Sequence, residues 1–214
     1  MERDIERTCI DCAAQACNGN GDVFPQFCLT TENADSATLD KSVEAYEAEG
    51  TDREIMLVAA QIEHDFYCKM TRVEETVEFA KRMGYRKIGI ATCAGLLTES
   101  RALARVLRSH GFEVFGIACK TGAVRKSDIG IPPECEEVGR NICNPINQAL
   151  RLNEEQVDLN IVVGLCVGHD ALFNKYAEAP VTTLVVKDRV TGNNPVAPLY
   201  SLDMFYHKIL GPEQ

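Results

Sequence analysis

Ten cysteines punctuate the sequence, at positions 9, 12, 17, 28, 68, 93, 119, 135, 143 and 166. Their placement points to sulfur chemistry in two places. Cys9, Cys12, Cys17 and Cys28 crowd together beside the turn-forming run Asn18-Gly19-Asn20-Gly21-Asp22. Two residues separate Cys9 from Cys12, so both sulfurs can reach one ion, and four thiols in so short a polar stretch read as a metal site. Burial as small hydrophobes, the commonest fate of free cysteines, does not explain a cluster in polar surroundings. Zinc in a four-cysteine knuckle and an iron–sulfur cluster both accept this ligand set. The remaining spacings, four and ten residues, match neither a bacterial ferredoxin run nor a two-pair zinc ribbon, so both cofactors stay open.

The second set lies at the ends of apolar runs. Lys87–Ala91 stops at Cys93, Glu113–Ala118 stops at Cys119, and Asn160–Leu165 stops at Cys166. Each cysteine is followed by a glycine turn through Gly95, Gly122 or Gly168. If the runs are parallel strands, residues just past their ends converge on one rim, where open α/β sheets bind ligands. A closed site needs a fourth ligand. Cys143 is the first choice, since Asn144-Pro145 puts it in a turn before a helix, and His169 is the alternative. His169 reads equally well as a structural group bonded to backbone. Cys93, Cys119, Cys143 and Cys166 thus form the second expected metal-ligand set. Thiolate, favoured near helix N-termini, also attacks electrophiles. A rival reading is therefore a thiol or redox enzyme, with Cys166 as nucleophile and His169, Lys187 or Arg189 holding a small anionic substrate. A third is a plain binding module in which the cysteines only pack. Asp128, Asp170 and Asp188 are further polar candidates, and Asn193-Asn194-Pro195 is a turn signal first. Cys68 and Cys135 read as ordinary cysteines.

These residues need a scaffold. Ser36 can cap a helix over about 37–49, and Thr51 or Asp52 a second running to about Phe66. Ile55, Leu57, Val58, Ala59 and Ile62 make that second helix largely buried. Thr71 opens a third, with Glu74 and Glu75 in its first turn and Lys81 and Arg82 in its last, complementing the helix dipole. From Tyr85 the period changes. Strands are expected over 87–91, 112–118, 159–165 and 181–186, and helices over 96–110, 145–152 and 171–177. Residues 121–137, with Gly130 and Pro132-Pro133, form a long loop, and 199–210 reads as a last short helix. Near-continuous apolar strands alternating with helices imply an α/β fold: a three-layer sandwich with a mainly parallel sheet of about four strands. The division is a Cys-rich metal-binding segment over 1–35, then an α/β domain over 36–214 whose first part, 36–84, is a helical lead-in packed on it.

The chain of 214 residues carries a formal charge of −10, which argues against a nucleic-acid partner. No apolar stretch approaches the roughly 18 residues a membrane span needs. The charged start Met1-Glu2-Arg3-Asp4-Ile5-Glu6-Arg7 does not read as a signal peptide. A cytoplasmic protein is expected, in a compartment where thiols stay reduced. Phosphate-loop, dinucleotide-binding and serine nucleophile-elbow motifs are absent.

The chain resembles a family at Thr71-Arg72-Val73-Glu74-Glu75, Phe79–Tyr85, Gly89-Ile90-Ala91 with Cys93 and Gly95-Leu96, and Cys119-Lys120. The likeness continues through Cys143-Asn144-Pro145-Ile146, Gly164–Asp170, Ala179-Pro180-Val181-Thr182, Lys187-Asp188-Arg189-Val190, Asn194-Pro195 and Leu199-Tyr200. These motifs are similar to those of the cysteine-rich metal-binding proteins of bacteria and archaea grouped as domain of unknown function 1847, and Cys9, Cys12 and Cys17 fit as well. The resemblance implies metal binding and no particular reaction. Cys68, Cys135 and Asn193 depart from the pattern, which would have two non-cysteines and a histidine there.

Overall fold

In a computed structural model of the chain, residues 7–19, 21–32 and 36–211 are described. They fall into two compact units that divide between Gln61 and Ile62. The first unit contains two 3-10 turns, Cys9–Asp11 and Ala16–Asn18, then α1 (Leu29–Glu32), α2 (Ala37–Glu47) and most of α3 (Thr51–Phe66). Ser36 caps α2 as expected, its hydroxyl accepting from the Leu39 N–H at 3.2 Å. Among the described residues of this unit only Ala16 and Cys28 are buried.

The expectation of a largely buried α3 does not hold. Ile62 alone is buried, Ile55 and Val58 are half-buried, and Leu57 is 46% exposed. Two helices share one mutual face, and here even that face is open: Ser42, Tyr46, Ile55, Met56 and Ala59 line a cavity of about 460 Å³. Periodicity marks which side of a helix is apolar. It does not supply the layer that would cover it.

The second unit is built on a sheet of four parallel strands, β1 (Lys87–Thr92), β2 (Glu113–Ala118), β3 (Leu159–Val163) and β4 (Val181–Val185), in the order β2-β1-β3-β4. The three-layer sandwich read from the sequence is present. On one face Val77 and Ala80 of α4 (Arg72–Arg82) and Leu103, Ala104 and Leu107 of α5 (Leu97–Ser109) pack on Ile88, Ile90, Leu159, Ile161 and Val163. On the other, Ala149 and Leu152 of α6 (Pro145–Glu154) and Phe173 of α7 (His169–Tyr176) pack on Ala91, Ile117 and Val162. The central strands β1 and β3 are covered on both faces, which is why their sequences are apolar without alternation. At the β4 edge Arg72 donates to the Thr183 carbonyl at 3.1 Å and to the Thr182 hydroxyl at 3.1 Å. The expected last helix is replaced by two short turns, α8 (Ala197–Tyr200) and a 3-10 turn at His207–Ile209. Among the described residues no helix is long and apolar enough to cross a membrane.

Strand order was not legible beforehand, and it matters for the site. From β1 the chain steps outward to β2, then crosses back over β1 to β3. The connections therefore leave in opposite directions between β1 and β3. A crevice opens at such a switch point, outside the carboxyl ends of the strands.

Candidate sulfur-lined sites

The N-terminal cysteines meet. Cys9, Cys12, Cys17 and Cys28 line one cavity of about 120 Å³, together with Gln15, Phe27 and Thr30. Cys9 opens the first 3-10 turn, whose capping box pairs Thr8 and Asp11, and the Cys12 N–H closes that turn by donating to the Cys9 carbonyl at 3.3 Å. Cys17 sits in the second turn, entered through Gln15 at φ 49° and left through Gly19 at φ 77°. These two left-handed residues fold the chain back so that Cys17 faces the same cavity. Cys28 is buried, and the other three are exposed or half-buried. The donor set fits a thiophilic ion. The sulfurs have not closed to ligand distance: among the described residues no three His, Cys, Asp or Glu side chains are gathered tightly enough to hold a metal ion.

The strand-end cysteines also gather at one rim. Cys93 directly follows β1 and Cys119 directly follows β2, their N–H groups extending the ladder to the Val163 carbonyl at 3.0 Å and the Thr92 carbonyl at 2.9 Å. Cys143 reaches Cys119 because the Asn144 N–H donates to the Cys119 carbonyl at 2.7 Å, while Asn144 caps α6 through the Asn147 N–H at 3.0 Å. The Cys119 sulfur accepts from the Ala94 N–H at 3.4 Å, and the thiols of Cys143 and Cys93 are its neighbours. Cys93, Cys119 and Cys143 thus form a trio. Cys166 lies across the crevice, and its sulfur accepts from Nη2 of Arg189 at 3.0 Å.

Cys119 is 3% exposed. Burial pushes its thiol up from 9.0 to about 11; donation by the Ala94 N–H offsets part of this, and Cys143 and Cys93 add to it. The unfolded thiol therefore loses its proton at lower pH than the folded one. Stability from this group is complete below about 9 and falls as pH rises through about 11. Denaturant midpoints measured across that window should drop for the natural chain and drop less for Cys119→Ala. Equal slopes would place the titrating group elsewhere.

The cations named from the sequence arrive at the same rim. Lys187 lies along the crevice. Its Cδ is 3.8 Å from where a Cβ on Gly164 would stand, and its Nζ is 3.9 Å from the same point on Gly95, where the Cys93 sulfur is 3.8 Å away. His169 opens α7, held by donation of its N–H to the Cys166 carbonyl at 2.8 Å. Its imidazole pKa is lowered, first by burial and then by Lys120, with Arg189 adding and Asp170 opposing. Asp188 and Asp170 turn out to be loop-building groups. Asp188 accepts from the Val190 and Thr191 N–H groups, and Asp170 from that of Ala171. Asn193 likewise serves its loop, accepting from the Asp188 N–H at 3.2 Å. Asp128 accepts from the Arg125 N–H at 3.3 Å, and Cys68 and Cys135 are exposed.

Two rim residues escaped the sequence reading. Lys120, beside His169, could have been found because it directly follows a strand-end cysteine. Gln148 gave no signal, sitting in the apolar stripe of α6. It is fully buried and donates to the Thr92 carbonyl at 3.1 Å and the Ile117 carbonyl at 2.8 Å, tying the ends of β1 and β2 beneath Cys93 and Cys119.

A family model described as a protein of unknown function, DUF1847, matches residues 28–184, a span that takes in Cys28 and the four rim cysteines. An uncharacterised protein of Methanocaldococcus jannaschii is 43% identical over 176 residues, covering 82% of this chain and 90% of that protein.

Proposed function

The chain belongs to the DUF1847 family, and we propose that it binds a thiophilic metal, as a zinc ion or an iron–sulfur cluster, through Cys9, Cys12, Cys17 and Cys28. The observation that carries this reading is the convergence of all four on a single cavity of about 120 Å³. Nothing else in that stretch accounts for it. Cysteines in a segment with two buried residues have no core to fill, whereas a four-thiolate site supplies folding free energy directly. Three of the four sit in or beside short 3-10 turns, which an ion that replaces the thiol protons would draw together. When bound, zinc would supply a structural clamp and an iron–sulfur cluster an electron-transfer centre.

Protein purified anaerobically should contain about one zinc, or the iron and sulfide of one cluster, per chain. A brown protein absorbing near roughly 400 nm means the cluster, and a colourless one with zinc means the ion. Protein containing neither metal would end the proposal.

A further inference from the structure

A different chemistry occupies the crevice between β1 and β3. Its walls are the loop Cys93–Leu96 and the turn Gly164–His169, held against each other where Leu96 lies 2.0 Å from the position a Cβ on Gly164 would take. Lys187 is laid across the top, Arg189 stands on Cys166, and Lys120 approaches His169 from the β2 side. The charges here are out of keeping with the rest of the molecule. The chain has 32 acidic and 22 basic side chains, yet among the described residues none of Lys120, Lys187 and Arg189 is ion-paired with a carboxylate. Asp170 and Asp188, which share these loops, each turn Oδ1 to their own loop amides, and among the described residues Asp170 is the one carboxylate whose charge acts on His169. The opposite edge of the sheet shows the contrast. There Lys87 meets Glu155 at 2.8 Å, and Asp158 accepts from the Arg86 and Lys87 N–H groups.

Among the described residues Lys187 and Arg189 at the switch point carry no carboxylate ion pair. With Lys120 beyond them, its Nζ donating to the Asn141 carbonyl at 2.6 Å, they form a focused positive field in an acidic protein. Arg189 donates to the Cys166 sulfur, and Lys187 Nζ and the Cys93 sulfur lie 3.9 and 3.8 Å from one point, the Cβ position on Gly95. Guanidinium and ammonium groups so placed recognise the planar or tetrahedral oxygens of a small anion.

The geometry points to a binding site for a small oxyanion, a carboxylate or phosphate group, in the crevice between the β1 and β3 loops, with Cys166 as the thiol that the bound molecule meets. Arg189 and Lys187 hold the oxygens, and His169 and Lys120 close the α7 side. The proposal uses none of the N-terminal cysteines, so it and the metal-binding reading can fail independently.

An anionic electrophile reports on this directly. Iodoacetate and iodoacetamide alkylate the same thiol: the sulfur–carbon bond forms, iodide leaves, and the thiol proton passes to solvent. Both rates scale with the same thiolate fraction, so their ratio cancels it and reports the local field. With each cysteine followed by mass spectrometry in the full metal-loaded protein, the iodoacetate-to-iodoacetamide ratio at Cys166 should exceed that at exposed Cys68 by about tenfold, and the excess should shrink with salt. Arg189→Gln and Lys187→Gln should each reduce the excess, read as the ratio so that any change in thiolate fraction cancels, and an unchanged urea midpoint shows that the variants fold. Inorganic phosphate should protect Cys166 from both reagents. Equal protection by acetate assigns the site to carboxylates, and protection by phosphate alone assigns it to phosphates. A Cys166 ratio equal to that of Cys68, or no protection by either anion, overturns the proposal. So does a Cys166 that resists both reagents until a chelator is added, since it would then be a metal ligand.

Discussion

Gly164→Ala should cost the second unit about 2–6 kcal/mol of stability, the sum of two effects that are each about 1–3 kcal/mol. One is backbone strain. Gly164 has φ +69°, a left-handed conformation that an alanine adopts only at a cost. The other is collision. The new Cβ would stand 2.0 Å from Cδ1 and 3.4 Å from Cγ of Leu96, a side chain only 5% exposed and packed into the core on the α5 face of the sheet. No rotation of the methyl relieves that contact, because Cβ is fixed by the backbone. Leu96 must move, and it carries the loop from Cys93 with it. Gly168→Ala separates the two effects. Gly168 is at φ +83° with nothing within 4 Å of its Cβ position, so that variant bears strain alone and should lose about 1–2 kcal/mol. Urea unfolding of both variants gives the difference. Combining Gly164→Ala with Leu96→Ala removes the atom that is struck, and the double variant should be less damaged than the two single losses added together by at least about 1 kcal/mol. If Gly164→Ala and Gly168→Ala lose the same stability, the contact of Leu96 with Gly164 is not what fixes the β1 and β3 loops against each other.

The same pair of residues shows where the sequence stops being readable. The strands were legible because Ile88, Ile90, Ile161 and Val163 belong to unbroken apolar runs, and a strand covered on both faces has no reason to alternate. The cysteines at their ends were legible too, since a parallel sheet delivers every strand end to one edge. Leu96 against Gly164 was not, for it needs the β2-β1-β3-β4 order, which sets β1 beside β3 although residues 93–158 lie between them. Periodicity describes one element at a time, whereas strand order is a property of the crossovers. Gln148 fell outside the reading for a related reason. In the sequence it is a polar interruption of the apolar stripe formed with Ala149 and Leu152. In the fold it lies between two strand-end carbonyls whose alignment depends on the β1–β2 register. The burial expected for α3 failed the other way: the pattern was apolar, but its own unit supplies no third layer. The cations suffered least, because Lys187 and Arg189 lie within four residues of a strand end and could be placed by counting.

If the proposed centre is there, metal removal should undo the segment around Cys9–Cys28 and leave the sheet intact. The described residues of the first unit bury Ala16 and Cys28, and α2 and α3 keep Leu39, Val43, Tyr46, Met56 and Leu57 each at least 42% exposed. So little burial cannot offset the roughly 1–2 kcal/mol of backbone entropy lost per ordered residue. A structural zinc site contributes apparent binding energies of about 10–16 kcal/mol, enough to reverse that balance for a short segment. Stripping the metal with a strong chelator should therefore expose the segment around Cys9–Cys28 to protease within minutes, while the urea midpoint of the second unit stays where it was. Cys12→Ser should have the same effect without a chelator. Cys12 is the second member of the C-x-x-C pair, and a serine hydroxyl is a poor ligand for either zinc or an iron–sulfur cluster. Metal content should fall from about one equivalent per chain to less than about a tenth. Cys68→Ser, altering an exposed cysteine in the turn after α3, should keep its metal in full. The decisive comparison is Cys12→Ser against Cys93→Ser. Loss of metal in the first alone places the ligands in the N-terminal cavity. Loss in the second alone would move the centre to the rim of the sheet, where Cys93, Cys119 and Cys143 already stand together.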